Sequence, residues 1–249
     1  MVLHKLPAPA RRVARTAVRG AAVPTRTAVH AVLRRRPELA RHVADWGWLW
    51  QPGWGRRHHE RFYGATGDPY GFDTKPFEQA KYDELLSVLP DGRYARGLEV
   101  GCAEGAFTER LATRCDAVVG TDISEVAIER ARQRFAGRPE IELQRRTLPL
   151  DFPDGTFDAI VCSDVVYLWE RGIVEIGLST MIERLRPGGA LVLLHYLGTF
   201  GQPIHANDVH ELALKLGAAA GLDHPTGYVH ADVGPHGAGF RVDVLARVD

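Results

Sequence analysis

LEVGCAEGAFTERLA, from Leu98 to Ala112, sets a short apolar run against two glycines and then a helical pattern. Gly101 supplies a turn with positive φ, Ala103 is small, and Gly105 lets a helix begin close to the strand before it. A tight strand-to-helix turn would need nothing more, but the same residues also let a polar ligand approach the backbone. The next strand, AVVGTDIS (Ala117 to Ser124), weighs toward a ligand. It ends at Asp122, about twenty residues beyond Gly101, where a carboxylate can accept hydrogen bonds from both hydroxyls of a ribose. A helix N-cap ahead of Ser124 is the plainer reading of Asp122.

Outward from this pair, strand and helix patterns alternate. FTERLATRC reads as a helix, VAIERARQRFAG as a helix, IELQRR as a short strand and FDAIVCSDV as a strand. VEIGLSTMIERLRPGG reads as a helix with a glycine stop, ALVLLHYL as a strand and VHELALKLG as a helix, with weaker strand signals in TGYVHADV and GFRVDVLARV. The apolar runs are continuous rather than alternating, as in parallel strands covered on both faces. The pattern predicts an α/β, doubly wound, mostly parallel sheet with right-handed crossovers and ligands beyond the carboxyl ends of its strands.

Upstream, DPYGFDTKPFEQAKYDELLSVLP (Asp68 to Pro90) predicts a helix capped by Asp73 or Thr74. Pro76 falls in its first turn, Glu78 near the positive end of its dipole, and Tyr82, Leu85, Leu86 and Leu89 on a core-facing stripe. Before it, four of five tryptophans (Trp46, Trp48, Trp50 and Trp54) crowd a glycine-broken segment. They suit either stacking on flat ligands or packing as an apolar lid, with packing favoured. Residues 1–36 hold nine basic residues and no acid within a chain of net charge zero, so the remainder carries a charge of minus nine. This arm reads as a partly helical surface appendage, and the acidic body argues against nucleic acid as a partner. The domain reading is a basic arm and Trp-rich extension over 1–67, helical and irregular, followed by the α/β domain over 68–249.

At 249 residues with 45% hydrophobic and 25% charged residues, the composition is that of a soluble globular protein with a sizeable core. No run approaches the roughly 18 apolar residues of a membrane span. Three widely spaced cysteines, Cys102, Cys115 and Cys162, read as reduced buried thiols, hence a cytoplasmic setting.

The acids Glu99 and Glu104 in the first loop would repel a diphosphate and attract an ammonium. A ligand with a ribose at one end and a cationic amino acid at the other is S-adenosylmethionine. LEVGCAEG, GTDIS, LPLDFPDGTFDAIVCSDVVYL and LRPGGALVLLH, in this order, resemble the motifs of Rossmann-like, class I S-adenosylmethionine-dependent methyltransferases over about residues 68–249. DPYGFDTKPFEQAKYDELL, LLHYLG and NDVHELAL resemble, more narrowly, the nodulation protein S group, whose members methylate the amino group of a deacetylated chitooligosaccharide. The resemblance implies Glu99, Gly101, Cys102, Ala103 and Gly105 around the methionine and ribose, and Asp122 and Ile123 on the ribose and adenine. It places Thr147 and Leu148 by the adenine, where the family often has an acid, and Ser163, Asp164 and Val165 by the sulfonium.

Methyl transfer is an in-line displacement that needs alignment and a dry site. For an amine acceptor, Asp164 and Tyr167 are placed to stabilise the cationic product. For a hydroxyl, His195 is the candidate base, unless it is a satisfied core histidine. A small-molecule amine N-methyltransferase leads, beside O-methylation with His195 as base and a cofactor-binding protein without transfer. His205, Asp208 and His210 lack metal-site spacing, so no metal is expected. The segment from Tyr63 to Phe72 is expected to cover the cofactor, with Tyr70 by the sulfonium and Tyr63, Tyr167 and His195 on the acceptor.

Overall fold

The computed structural model describes residues 26–36, 39, 54–231 and 237–248. Residues 1–25 of the basic arm, and Trp46, Trp48 and Trp50, lie outside the described residues.

The sheet has strands β1 (Tyr94–Val100), β2 (Cys115–Asp122), β3 (Ile141–Arg145), β4 (Phe157–Ser163), β5 (Leu185–Tyr196), β6 (Leu222–His230) and β7 (Phe240–Arg247). Their order is β3-β2-β1-β4-β5-β7-β6. The first five are parallel, and β7 runs antiparallel between β5 and β6. Leu98 sits beside Val119 on one flank and Ile160 on the other, so the centre of the sheet is apolar across three strands. Successive side chains leave the sheet on opposite faces, and both faces are covered. On one side Leu98, Val100, Ile160 and Leu193 pack with Ile173, Leu178 and Met181. On the other, Val118, Val161 and Val192 pack with Leu85, Phe107 and Leu111. Double-sided burial accounts for the unbroken apolar runs in the sequence.

The helices are α1 (Arg26–Arg35), α2 (Arg56–Ala65), α3 (Pro76–Val88), α4 (Ala106–Leu111), α5 (Glu125–Arg134), α6 (Arg171–Glu183) and α7 (Ala206–Ala219), with a 3-10 turn at Val166–Leu168. Three boundaries differ from the sequence reading. Helix α4 stops at Leu111, because Cys115 already pairs with Tyr94 as the first rung of β2. Helix α6 stops at Glu183, and the RPGG stretch belongs to β5, whose Leu185 pairs with Phe157. Helix α3 begins after Lys75, with no side-chain cap, so neither Asp73 nor Thr74 caps it; Pro76 fills the first position.

The arm is more than a surface appendage. Val29 and Leu33 of α1 are 6% and 2% exposed within the core that α6 completes. Burying two such side chains contributes at most about 3–6 kcal/mol, so α1 at the end of the arm is part of the packed structure.

Helix α2 docks through one carboxylate. Glu60 Oε1 accepts from the backbone N–H of Glu125 (3.0 Å), while Oε2 accepts from Ser124 Oγ (3.0 Å) and Val126 N–H (3.3 Å). The free N–H groups at the start of α5 thus receive a negative charge from another helix, at the positive end of the α5 dipole. Burial alone would raise the Glu60 pKa, but these donors outweigh it and hold the group below the usual carboxylate range. Glu60→Ala is expected to destabilise the protein by about 1–2 kcal/mol, as loss of a helix cap does. In a protein of this size that corresponds to a melting temperature lower by roughly 2–8 °C, and a thermal melt showing no change would refute the docking role.

Candidate active site

The strand order changes direction between β1 and β4, and a cavity of about 410 Å³ opens there beyond the carboxyl ends of β1, β2 and β4. Such crevices are where open parallel sheets bind ligands, and the volume is that of a small-molecule site.

The loop after β1 forms its floor. Gly101, Ala103 and Gly105 all have positive φ, at 78°, 50° and 90°. At Gly101 a Cβ would lie 2.3 Å from Val165 Cγ2, so only glycine fits. Gly105 serves packing: a Cβ there would meet the Phe135 ring at 2.4 Å, and the residue does not line the cavity. Ala103 takes the left-handed conformation without being glycine, and its N–H donates to Asp122 Oδ2 at 3.0 Å. Asp122 Oδ1 accepts from Ser124 N–H at 2.8 Å, so the carboxylate is fixed from both sides while it lines the cavity. Helix α5 is capped by Ser124, whose Oγ accepts from Ala127 N–H, and not by Asp122. Burial, partly offset by the N–H groups of Ser124 and Ala103, pushes the Asp122 pKa up to about 6. Burial likewise pushes Glu99 up to about 7, against the bond from Thr108 Oγ1 at 2.5 Å.

Glu104 departs from the sequence reading. Its carboxylate turns away from the cavity to Arg130 (2.6 Å) and the N–H of Asp68 (3.1 Å), where it anchors the covering segment. Glu99 is therefore the acid of this loop that faces the ligand space.

The other half of the cavity is built around Asp164, a non-glycine residue at φ 57°. Its Oδ1 accepts from Tyr167 Oη (2.8 Å) and from the N–H of Tyr196 (2.7 Å), and its Oδ2 pairs with Lys81 Nζ. Lys81 is 3% exposed and also lies 2.7 Å from Glu78 Oε2. Burial opposes the charge on Asp164, but Lys81 outweighs it and lowers the pKa; the two carboxylates in turn raise that of Lys81. Glu78 goes the other way, since burial outweighs Lys81 and raises its pKa. Helix α3 was read as an ordinary core element, and both residues were missed. The available signal was a lysine at position 81, directly beside the apolar stripe of that helix.

Residues 54–72 close the top. Phe62 and Tyr70 pack at 4.7 Å between ring centroids, and Tyr70 stacks on Phe72 at 5.0 Å. Tyr63 and Tyr70 both line the cavity, but Tyr63 packs on Ala103 and Ala127, which puts it over the Asp122 half and not toward the acceptor. Trp54 reaches the rim, edge-on to Phe200 at 5.4 Å, and His59 also lines the wall, its pKa lowered to about 4 first by burial and then by His58.

Of the residues read from the sequence, Tyr63, Tyr70, Glu99, Gly101, Cys102, Ala103, Asp122, Ile123, Leu148, Ser163, Asp164, Val165 and Tyr167 line the cavity; Gly105, Thr147 and His195 do not. Thr147 is buried beside Leu148, and Arg146 takes its place at the wall. His195 is fully buried behind Tyr167, with ring centroids 4.9 Å apart. Its Nδ1 meets His210 Nε2 at 3.0 Å, and His210 Nδ1 meets Asp243 Oδ2 at 2.6 Å. His205 caps α7, and Asp208 faces Arg171 at 3.8 Å, so the three candidate ligands diverge; among the described residues no three or more His, Cys, Asp or Glu side chains are arranged to hold a metal ion.

The order of strands, the glycine turn and the Asp122 carboxylate define a class I S-adenosylmethionine-dependent methyltransferase. A family model for nodulation protein S matches residues 60–201. The chain is 35% identical to nodulation protein S of Bradyrhizobium diazoefficiens over 162 residues, covering 64% of this chain and 71% of that protein. With nodulation protein S of Rhizobium tropici it shares 35% identity over 130 residues, 51% of this chain and only 55% of that relative. The crystal structure of N-methyltransferase NodS from Bradyrhizobium japonicum WM9 with S-adenosyl-L-homocysteine superposes with a TM-score of 0.68 at 26% identity, over 78% of this chain and 98% of that one. The chain belongs to the nodulation protein S family.

If Asp122 takes ribose hydroxyls and Glu99 the ammonium of the cofactor, both must be ionised in the complex, so binding should lower both pKa values from about 6 and about 7. Affinity for S-adenosylhomocysteine is therefore expected to rise with pH between 5 and 8, flattening above about 7, with proton release on binding. Calorimetry in buffers of different ionisation enthalpy measures both, and a pH-independent affinity would remove the two carboxylates from the cofactor.

Proposed function

We propose that this methyltransferase moves the methyl group of S-adenosylmethionine onto the nitrogen of an amine in a small polar, aminosugar-like acceptor. The observation that carries this reading is the Asp164 half of the cavity, where two carboxylates share one lysine ammonium and leave a net negative charge beside aromatic rings. An acceptor that arrives as an ammonium is drawn into such surroundings, and a phenolate is not. The rim suits a ring-shaped acceptor, because Trp54 and Phe200 stand at the mouth with Tyr167 edge-on to Phe200 beneath them. The relative crystallised with S-adenosylhomocysteine is itself described as an N-methyltransferase.

The donor supplies an electrophilic methyl on a sulfonium. Asp122 holds the ribose, Glu99 faces the methionine ammonium, and the Gly101–Ala103 turn lets the ligand lie against the backbone. Tyr70 and Phe72 cover it, which excludes water and holds donor and acceptor in line. Asp164 and Tyr167, locked together by their hydrogen bond, face the reacting nitrogen. O-methylation with His195 as base loses support, since that ring lies behind Tyr167 and burial, reinforced by His210, pushes its pKa down to about 3.

Incubation of the purified protein with methyl-labelled donor and a panel of D-glucosamine, deacetylated chitobiose and catechol tests the reading. Label on an aminosugar nitrogen is expected, and label on catechol alone overturns it. In the same assay Tyr70→Ala should lower turnover at least tenfold with little loss of thermal stability. Asp122→Ala should weaken S-adenosylhomocysteine binding by about 1.5–3 kcal/mol, or roughly tenfold to over a hundredfold; undiminished affinity would discard the ribose assignment.

A further inference from the structure

An amine with a pKa above neutrality arrives as an ammonium, which has no lone pair with which to attack the methyl group. Some group must take its proton before transfer, and the best proton acceptor is one with free lone pairs and a pKa close to the working pH. The two carboxylates of the acceptor half differ on both counts. Asp164 is saturated, with Tyr167, the N–H of Tyr196 and Lys81 all directed at it. Glu78 lines the same cavity, with Oε2 buried 2.7 Å from Lys81, and no other donor among the described residues reaches it. One oxygen of Glu78 is therefore left to receive a ligand hydrogen.

We propose that Glu78 receives the ammonium of the acceptor and removes its proton, while the Lys81–Asp164 ion pair stays fixed as the frame that holds Glu78 in place. The assignment rests on the amine reading above. In the first step the ammonium N–H bond breaks and the proton passes to Glu78, giving a neutral amine and a carboxylic acid. In the second the nitrogen lone pair forms the N–C bond as the methyl–sulfur bond breaks, leaving an alkylammonium and a neutral thioether. The proton then leaves Glu78 for solvent as the product departs, so each turnover releases one proton. Burial, which raises the pKa of Glu78, suits this part. The charged and titratable groups facing it are Lys75 and Lys81 of its own segment, Asp164 from the loop after β4, and the phenols of Tyr82 and Tyr167.

Glu78→Gln in the full chain, assayed with S-adenosylmethionine and D-glucosamine, is the test. We expect kcat/KM at pH 7 to fall at least about tenfold, with S-adenosylhomocysteine affinity within about threefold of wild type. The deficit should shrink as pH rises toward the pKa of the amine, because the variant depends on acceptor that is already neutral; a merely structural defect would persist at every pH. Calorimetric binding of D-glucosamine to the S-adenosylhomocysteine complex should be at least tenfold weaker in the variant. Unchanged turnover, a pH-independent deficit, or equal amine binding overturns the assignment while leaving the amine reading in place. A tenfold or greater loss of S-adenosylhomocysteine affinity overturns it too, by placing Glu78 at the methionine ammonium. If wild type methylates catechol but neither methylates nor binds D-glucosamine, the amine reading itself falls and Glu78 with it.

Discussion

The carboxylate of Asp164 is the contact on which the acceptor half of the site depends. It joins Lys81 of α3, Tyr167 of the 3-10 turn and the backbone at the end of β5, three parts of the chain of which the first and last lie more than a hundred residues apart. Removing a carboxylate and an ammonium from water costs several kcal/mol each, and mutual attraction offsets that cost only when the remaining lone pairs are also satisfied. Here they are, and the left-handed backbone at Asp164 is the conformational cost of presenting the group to all three donors at once. What the arrangement secures is position: the aromatic and acidic walls around the acceptor cannot shift independently of the sheet.

The sheet was legible in the sequence because every parallel strand buried on both faces leaves a continuous apolar run, and the runs at Leu98, Val118, Ile160 and Leu191 do so plainly. The floor of the cavity was legible for a related reason. Gly101 and Asp122 act through local geometry, a positive φ and a strand-end carboxylate, and local geometry is what spacing along the chain records. The acceptor half was hidden because Glu78 and Lys81 sit on a helix whose periodicity reports that a face is buried without reporting against what. Glu104 misled for the same reason in reverse: an acid in the right loop faces Arg130 and the covering segment, and no pattern along the chain fixes the direction of a loop side chain.

His195 shows where strand position alone fails. It follows the apolar run of β5 and stands at the level of the cavity, yet its ring belongs to a buried chain that leads away from it. Asp243 is held below the usual carboxylate range, with burial opposed and outweighed by His210 and Arg241. An ionised Asp243 fixes the proton on His210 Nδ1, so His210 Nε2 accepts from His195 Nδ1 and the His195 Nε2 lone pair is left without a partner. Arg241 at 2.7 Å and His224 at 2.7 Å complete the bonds to Asp243. The network joins β5, α7, β6 and β7, and its contact with the site is the edge-on packing of His195 under the Tyr167 ring. Its service to the chemistry is support of the aromatic wall from behind.

The covering segment and Asp122 share one short turn of chain. Asp122 takes the N–H of Ser124, while Glu60 takes the Ser124 hydroxyl and the next two N–H groups, so two carboxylates from different parts of the molecule divide the start of α5 between them. Their charges repel, and Glu60 contributes to the raised pKa of Asp122. A ribose that donates to Asp122 disperses its negative charge and so relieves the repulsion that works against Glu60 docking. On the proposed reading of Asp122, cofactor binding and the docking of α2 are thereby favoured together, through electrostatics across a single helix N-terminus.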